Sequence, residues 1–270
     1  MEEHILGITK LVNALLGKPA FALLNVLHIH ASNPEYPIPN HIAMELLVFV
    51  LAIAFFSWLK GRLSVENPSG VQQAMELLLR NPIGVGAQDL LDDLVGHGGE
   101  KYLPMLGSIG IFVLLCNLIS VIPGFASPTA TSSVPLGCAA TVFLYYNLAG
   151  IRKNGPLGHA KHFLGPVWWL AWLMLPIEIV SNASRLLSLT VRLWVNMLVS
   201  ELLYTLFLGL TVALFVFVGK LNAFGYATGV VPLLVPPIFI LLHIFVAVLQ
   251  AFVFTILPVM YVSAVVADEH

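Results

Sequence analysis

Apolar residues fall in long uninterrupted blocks along this chain, and polar or basic residues mark where each block stops. A helix that crosses a bilayer needs about 20 mainly apolar residues. The first such block runs from His41 to Leu59 and is closed by Lys60 and Arg62. The second runs from Tyr102 to Ile122, ending at Pro123-Gly124, and the third from Leu136 to Ile151, ending at Arg152-Lys153. Two further blocks are too long for one perpendicular crossing: Val167 to Val218, and Val230 to Val266. At about 1.5 Å per residue the former exceeds twice the hydrocarbon thickness. It either turns within the membrane or forms one steeply tilted helix. The favoured reading is a long tilted hairpin with its turn among Lys220, Asn222 and Gly225.

Ahead of these blocks, Ile5, Leu6, Ile8, Leu11, Val12, Leu15 and Leu16 recur at helical spacing. Residues 3–17 therefore read as an amphipathic helix lying on the membrane surface. Residues 71–95 mix leucine pairs with Gln, Glu and Asp and carry Asn81-Pro82, which suits an interfacial element. The predicted fold is an all-α integral membrane protein of about five crossings. Its layout is an amino-terminal interfacial segment 1–40, a first crossing 41–62, an interfacial segment 63–101, two crossings 102–153, and the hairpin 154–270.

Composition supports that class. Of 270 residues, 59% are hydrophobic and only 10% charged, where a soluble domain carries about a quarter charged. Cys116 and Cys138 lie within apolar blocks, so neither a disulfide nor a metal pair is expected. His28, His30 and His41 lack cysteine or aspartate support for a metal site. No phosphate loop or nucleotide fingerprint occurs, and no cofactor is implied. The net charge of −2 comes with no basic patch that would suit a nucleic acid. With five crossings, Lys60, Arg62, Arg80, Lys101, Arg152, Lys153 and Lys161 share one side, against Lys10, Lys18 and Lys220 on the other. The positive-inside bias then places the amino terminus outside and the carboxyl terminus in the cytoplasm.

One charge breaks the pattern. Arg192 sits inside the longest apolar block. An arginine keeps its proton in any environment a protein offers, and placing it at mid-bilayer costs at least about 2.5–3.5 kcal/mol. At about 100° per residue, Glu178, Ser181, Arg185, Ser188 and Asn196 fall within roughly 40° of Arg192 on one helix face. Asn182 lies about 80° away and is set outside the stripe. Glu201 lies roughly 180° round and about 13 Å further along the helix. On the second long helix, His243 and Gln250 share a face. Folding the hairpin about residue 222 brings Glu201 opposite His243 and Arg192 beside Gln250.

This arrangement has a mechanical reading. Glu201 and His243 can exchange protons with water from outside, and Glu178 with Ser181, Ser188 and Asn196 can line a separate path to the cytoplasm. Arg192 separates the two, so a moving partner bearing a carboxyl group would have to carry the proton past it. Blander roles compete: Arg185 could snorkel, and Ser181 and Ser188 could bond back to their own helix.

The run Ser188-Leu-Thr-Val-Arg192-Leu-Trp-Val-Asn196-Met197 followed by Glu201 resembles the signature of subunit a of F-type ATP synthases. His243-Ile-Phe-Val-Ala-Val-Leu-Gln250 is similar to the last helix of that family. So are Asn117-Leu-Ile-Ser-Val-Ile-Pro-Gly124 and Ser127-Pro-Thr129 to the loop after its second span. The resemblance covers about residues 40–270. It implies a non-catalytic subunit of the bacterial inner membrane with the c-ring, the b-subunit peripheral stalk and the rest of the complex as partners. It further implies that Arg192 is the stator arginine facing the ring. Glu201, His243 and Gln250 would belong to the proton inlet, and Glu178, Ser188 and Asn196 to the outlet.

Overall fold

The computed structural model describes residues 7–26, 35–64, 67–73, 76, 99–122, 125–164, 168–219 and 235–266. Several sequence expectations lie outside these residues: the hairpin turn at Lys220, Asn222 and Gly225, most of the 63–101 segment, His28 and His30, and the terminal Asp268-Glu-His270. The described elements are helical. They are α1 (Gly7–Val26), α2 (Asn40–Lys60), α3 (Leu103–Leu118), α4 (Ser133–Leu164), α5 (Ala171–Gly219) and α6 (Val235–Val266). Short 3₁₀ turns precede α3 and follow it. Among the described residues, five helices are long and apolar enough to cross a membrane: Asn40–Lys60, Gly99–Val121, Ser133–Pro156, Ala171–Leu214 and Pro236–Val266. In hydrocarbon every backbone polar group must be paired within the protein, which an α-helix achieves alone.

The amino-terminal helix runs longer than the predicted 3–17, continuing through Pro19 to Val26. Leu11, Leu15 and Leu16 are exposed, as suits a helix that rests on lipid. It is tied to the start of α2 by side chains on its other face. The Asn13 amide clamps the Ile38 main chain, accepting from Ile38 N–H at 2.9 Å and donating to Ile38 C=O at 2.9 Å. Thr9, 1% exposed, donates to Asn40 Oδ1 at 2.8 Å.

The third apolar block ends as α4 kinks. Gly155 stands at φ 71°, ψ 164°, with Pro156 after it. The left-handed φ is open to glycine at little cost, and the residue before a proline is steered away from helical backbone. Helix therefore resumes beyond Arg152-Lys153, where the sequence reading had stopped. The alternatives for the long block also resolve: α5 is one helix of 49 residues, continuous through Pro176. Its contour is about 74 Å.

The chain divides into two compact units. The first draws on Met1–Ile53, Leu114–Thr131 and Val195–Leu249, and the second on Ala54–Val113, Ser132–Trp194 and Gln250–His270. Within the second, α3 and α6 approach closely at Gly110. A Cβ there would stand 2.1 Å from Thr255 Oγ1 and 3.3 Å from Thr255 Cβ. Membrane helices use small residues at such contacts because packing, not the hydrophobic effect, drives their association. Gly110→Ala is expected to destabilise the α3–α6 contact by about 1–3 kcal/mol, measured as a lower midpoint in denaturant. Adding Thr255→Ala should recover most of the loss; no recovery would place the cost elsewhere.

Candidate functional site

In the first unit the site is organised by His243 on α6, which is 1% exposed. Its Nε2 lies 2.9 Å from Ser120 Oγ and its Nδ1 lies 2.6 Å from Ser200 Oγ. The Ser120 hydroxyl donates its single proton to Asn117 C=O at 3.1 Å. Ser120 Oγ is then left as the acceptor from Nε2–H, and Nδ1 shares a hydrogen bond with Ser200 Oγ. The ring is thus held in orientation by a serine on each side. Tyr204 lies tilted against it at 6.2 Å. One step along α5 from Ser200, Glu201 places Oε2 in a buried position with no hydrogen-bond partner among the described residues. The Ser127 main chain lies beside this carboxyl.

A fully buried amide anchors that environment. Asn117 donates to Ala247 C=O on α6 at 3.2 Å and accepts from Thr129 Oγ1 at 2.6 Å. Ser127 donates to Cys116 C=O at 3.0 Å. Asn117 and Thr129 are both 0% exposed. Ser127 and Thr129 therefore pin the loop after α3 back onto that helix, and Asn117 of α3 ties the same end of the helix to α6. Removing one partner of a buried hydrogen bond leaves the other unsatisfied, at about 1–3 kcal/mol each. Asn117→Ala should accordingly lower assembly of the protein and release the loop to proteolysis. A variant as protease-resistant as the wild type would contradict this anchoring role.

The second unit holds Arg192 and the other carboxylate. Here α5 buries Asn182, Leu189, Thr190 and Leu193 and exposes Ser184, Leu187, Ser188, Val191 and Arg192. Arg192 forms no hydrogen bond or ion pair among the described residues. Glu178, half-buried, accepts from Asn182 Nδ2 at 3.3 Å, and Asn182 Oδ1 accepts from Tyr146 OH at 2.7 Å. Tyr146 packs on Tyr261 at 5.9 Å, and the Arg185 guanidinium stands over the Tyr261 ring at 5.4 Å. Gln250 is buried and does not hydrogen-bond Arg192, while Ser181 and Asn196 are half-buried.

Sequence geometry and structure thus differ in detail. His243 meets Ser200 where the hairpin register had set Glu201, a difference of one residue. Asn182, set outside the polar stripe, is the direct partner of Glu178. Ser120, Tyr146 and Tyr261 carried no sequence signal of their role, because each meets its partner across a long chain separation.

The model of the ATP synthase A chain family matches residues 42–263. Over 267 residues the chain is 38% identical to ATP synthase subunit a of Koribacter versatilis, covering 99% of both proteins. It is 40% identical over 234 residues to subunit a of Solibacter usitatus, covering 87% of this chain and 90% of that one. Subunit a of Sulfurimonas denitrificans shows 40% identity over 205 residues, or 75% and 80% of the two chains. The chain belongs to the ATP synthase A chain family. ATP synthesis and proton transport are the processes that this family serves. As a family member the chain is a membrane component of an ATP synthase. The matched region 42–263 takes in Arg192 and both carboxylates, as well as His243 and its serine partners.

Proposed function

We propose that this chain is the proton-translocating stator of the membrane sector, working through two offset aqueous half-channels kept apart by Arg192. Glu201, His243 and Gln250 form the inlet from outside, and Glu178, Ser181, Ser188 and Asn196 form the outlet to the cytoplasm. The observation that carries this reading is Arg192 itself, a permanent cation on the exposed face of α5 with no counter-charge among the described residues. Such a group is stabilised best by a carboxylate supplied from another chain. The c-ring provides one per subunit, neutral while it faces lipid and ionised when it reaches the guanidinium.

The cycle follows from charge. A ring carboxylate beside Arg192 takes a proton from the inlet, becomes neutral and can move into lipid. Arriving on the other flank, it gives its proton to the outlet and pairs again with Arg192. Each elementary charge moved down 100 mV releases about 2.3 kcal/mol, and directional exchange converts this to rotation. The subunit performs no bond chemistry, the b-subunit stalk holds it against the torque, and the complex sits in the bacterial plasma membrane. The amino terminus faces outside and the carboxyl terminus the cytoplasm. Support for that orientation comes from the basic residues flanking the spans.

The test is co-purification and reconstitution. The chain is expected to copurify with a ring whose carboxyl reacts with dicyclohexylcarbodiimide, and to transport no protons by itself in liposomes. Robust proton transport by the chain alone would mark a self-contained carrier and overturn the stator reading.

A further inference from the structure

Away from the polar residues of the half-channels, the second unit has an open pocket of about 600 Å³ between the start of α3 and the end of the α4 span. Three cations line it, Lys101, Arg152 and Lys153, and no acidic side chain does among its described lining. Its aromatic wall is Tyr102 and Tyr145, whose rings meet edge to face at 6.2 Å. Leu148 and Ala149 complete the apolar part. Two of the cations are held in place: Lys101 Nζ stands 5.0 Å from the Tyr102 ring centre, and Lys153 donates to the Val266 carbonyl near the end of α6. Arg152 lies within electrostatic reach of the Tyr145 hydroxyl.

Lys101 and Arg152, on the same pocket, repel each other unless an anion joins them. Arg152 and Lys101 are exposed, so both can reach such a ligand. The combination of an apolar wall, tyrosine rings and a basic rim matches the junction of acyl chain and headgroup in a lipid. Basic pockets between membrane helices on the cytoplasmic side are suited to anionic headgroups. We infer that this pocket is a binding site for the headgroup phosphate of an anionic glycerophospholipid of the cytoplasmic leaflet, one that carries no compensating cation of its own. The leaflet rests on the orientation proposed above; the site rests on the pocket.

The experiment uses the purified ATP synthase complex in nanodiscs. Phosphatidylglycerol with a photoactivatable headgroup is cross-linked and the labelled peptides are mapped. Labelling is expected at residues 101–106 and 145–153. Phosphatidylcholine with the same photoactivatable group should label these peptides weakly. Lys101→Gln with Arg152→Gln should reduce phosphatidylglycerol labelling roughly 25-fold, about fivefold for each cation. Lys101→Arg with Arg152→Lys should retain it, and so keeps the test decisive should the neutral pair assemble poorly. Proton pumping in both variants should match the wild type, so this result stands apart from any failure of the stator reading.

Competition assigns the source of the anion. Labelling that inorganic phosphate does not displace supports the lipid headgroup. Displacement by inorganic phosphate supports the anion site but assigns it to a soluble ligand. Equal labelling by the two lipids, or labelling unchanged in the neutral pair, overturns the inference. Absence of lipid label in the assembled complex, with another subunit cross-linked there instead, overturns it as well.

Discussion

Arg192→Ala is expected to cut ATP-driven proton pumping by at least about 100-fold while leaving the complex assembled. Assembly should survive because Arg192 is exposed on α5 and its removal opens no cavity in this chain. On the stator reading pumping should fail because the ring carboxylate loses the fixed counter-charge proposed for it. Breaking a desolvated ion pair by removing one partner costs about 3–5 kcal/mol, and every 1.4 kcal/mol is tenfold. On the stator reading the cation also repels protons that would otherwise pass straight between the proposed half-channels. Passive proton conductance in stripped membranes should therefore persist in Arg192→Ala. Dye quenching in inverted vesicles measures both quantities. Arg192→Lys should fall between the two, since its ammonium can shed a proton in a dry site whereas a guanidinium cannot. Wild-type pumping by the alanine variant would sink the stator reading.

Glu201→Gln is the second large effect. Glu201 Oε2 is buried and unpartnered among the described residues, and a carboxyl so placed is free to pass a proton onward. A positioned acid–base group is worth about 10²–10⁴ in a proton-transfer step, so Gln should slow coupled pumping roughly 100-fold. Glu201→Asp, which keeps the group but shortens its reach, should lose less. His243 supplies the contrast. Its nitrogens are committed to Ser120 and Ser200, so Ser120→Ala with Ser200→Ala leaves the imidazole present but unoriented. If His243 relays protons, that pair should slow pumping without changing the amount of assembled complex. If pumping falls only in proportion to assembly, the histidine is structural.

Much of this organisation is legible in the chain. Apolar block length gives the crossings directly, because bilayer thickness fixes how many residues a helix needs. Arg192 stands out because the surrounding block holds so little other charge. Other features lie beyond one-dimensional reading. Wheel angles set Asn182 aside at about 80°, yet its amide reaches back one turn to Glu178 and forward to Tyr146. An angle describes where a Cβ points, not how far a flexible amide extends. Ser120 meets His243 across 123 residues of sequence, and only tertiary packing brings them together. The hairpin register came within one residue at Ser200, as close as an assumed turn permits. Pro176 lies inside α5, and the helix continues through it. Membrane helices tolerate proline where local adjustment satisfies the freed carbonyl.

Whether the Arg192 face of α5 meets the ring can be measured by disulfide cross-linking in the assembled complex. The native Cys116 and Cys138 are replaced, and single cysteines are introduced on α5 opposite a scanned set of cysteines on the ring helix that carries the carboxyl. Ser188→Cys and Val191→Cys lie on the exposed face with Arg192, while Leu189→Cys and Leu193→Cys lie on the buried one. The stator account predicts ring cross-links from the first pair and none from the second. Absence of cross-links from Ser188→Cys and Val191→Cys, or an equal yield from Leu193→Cys, would contradict it.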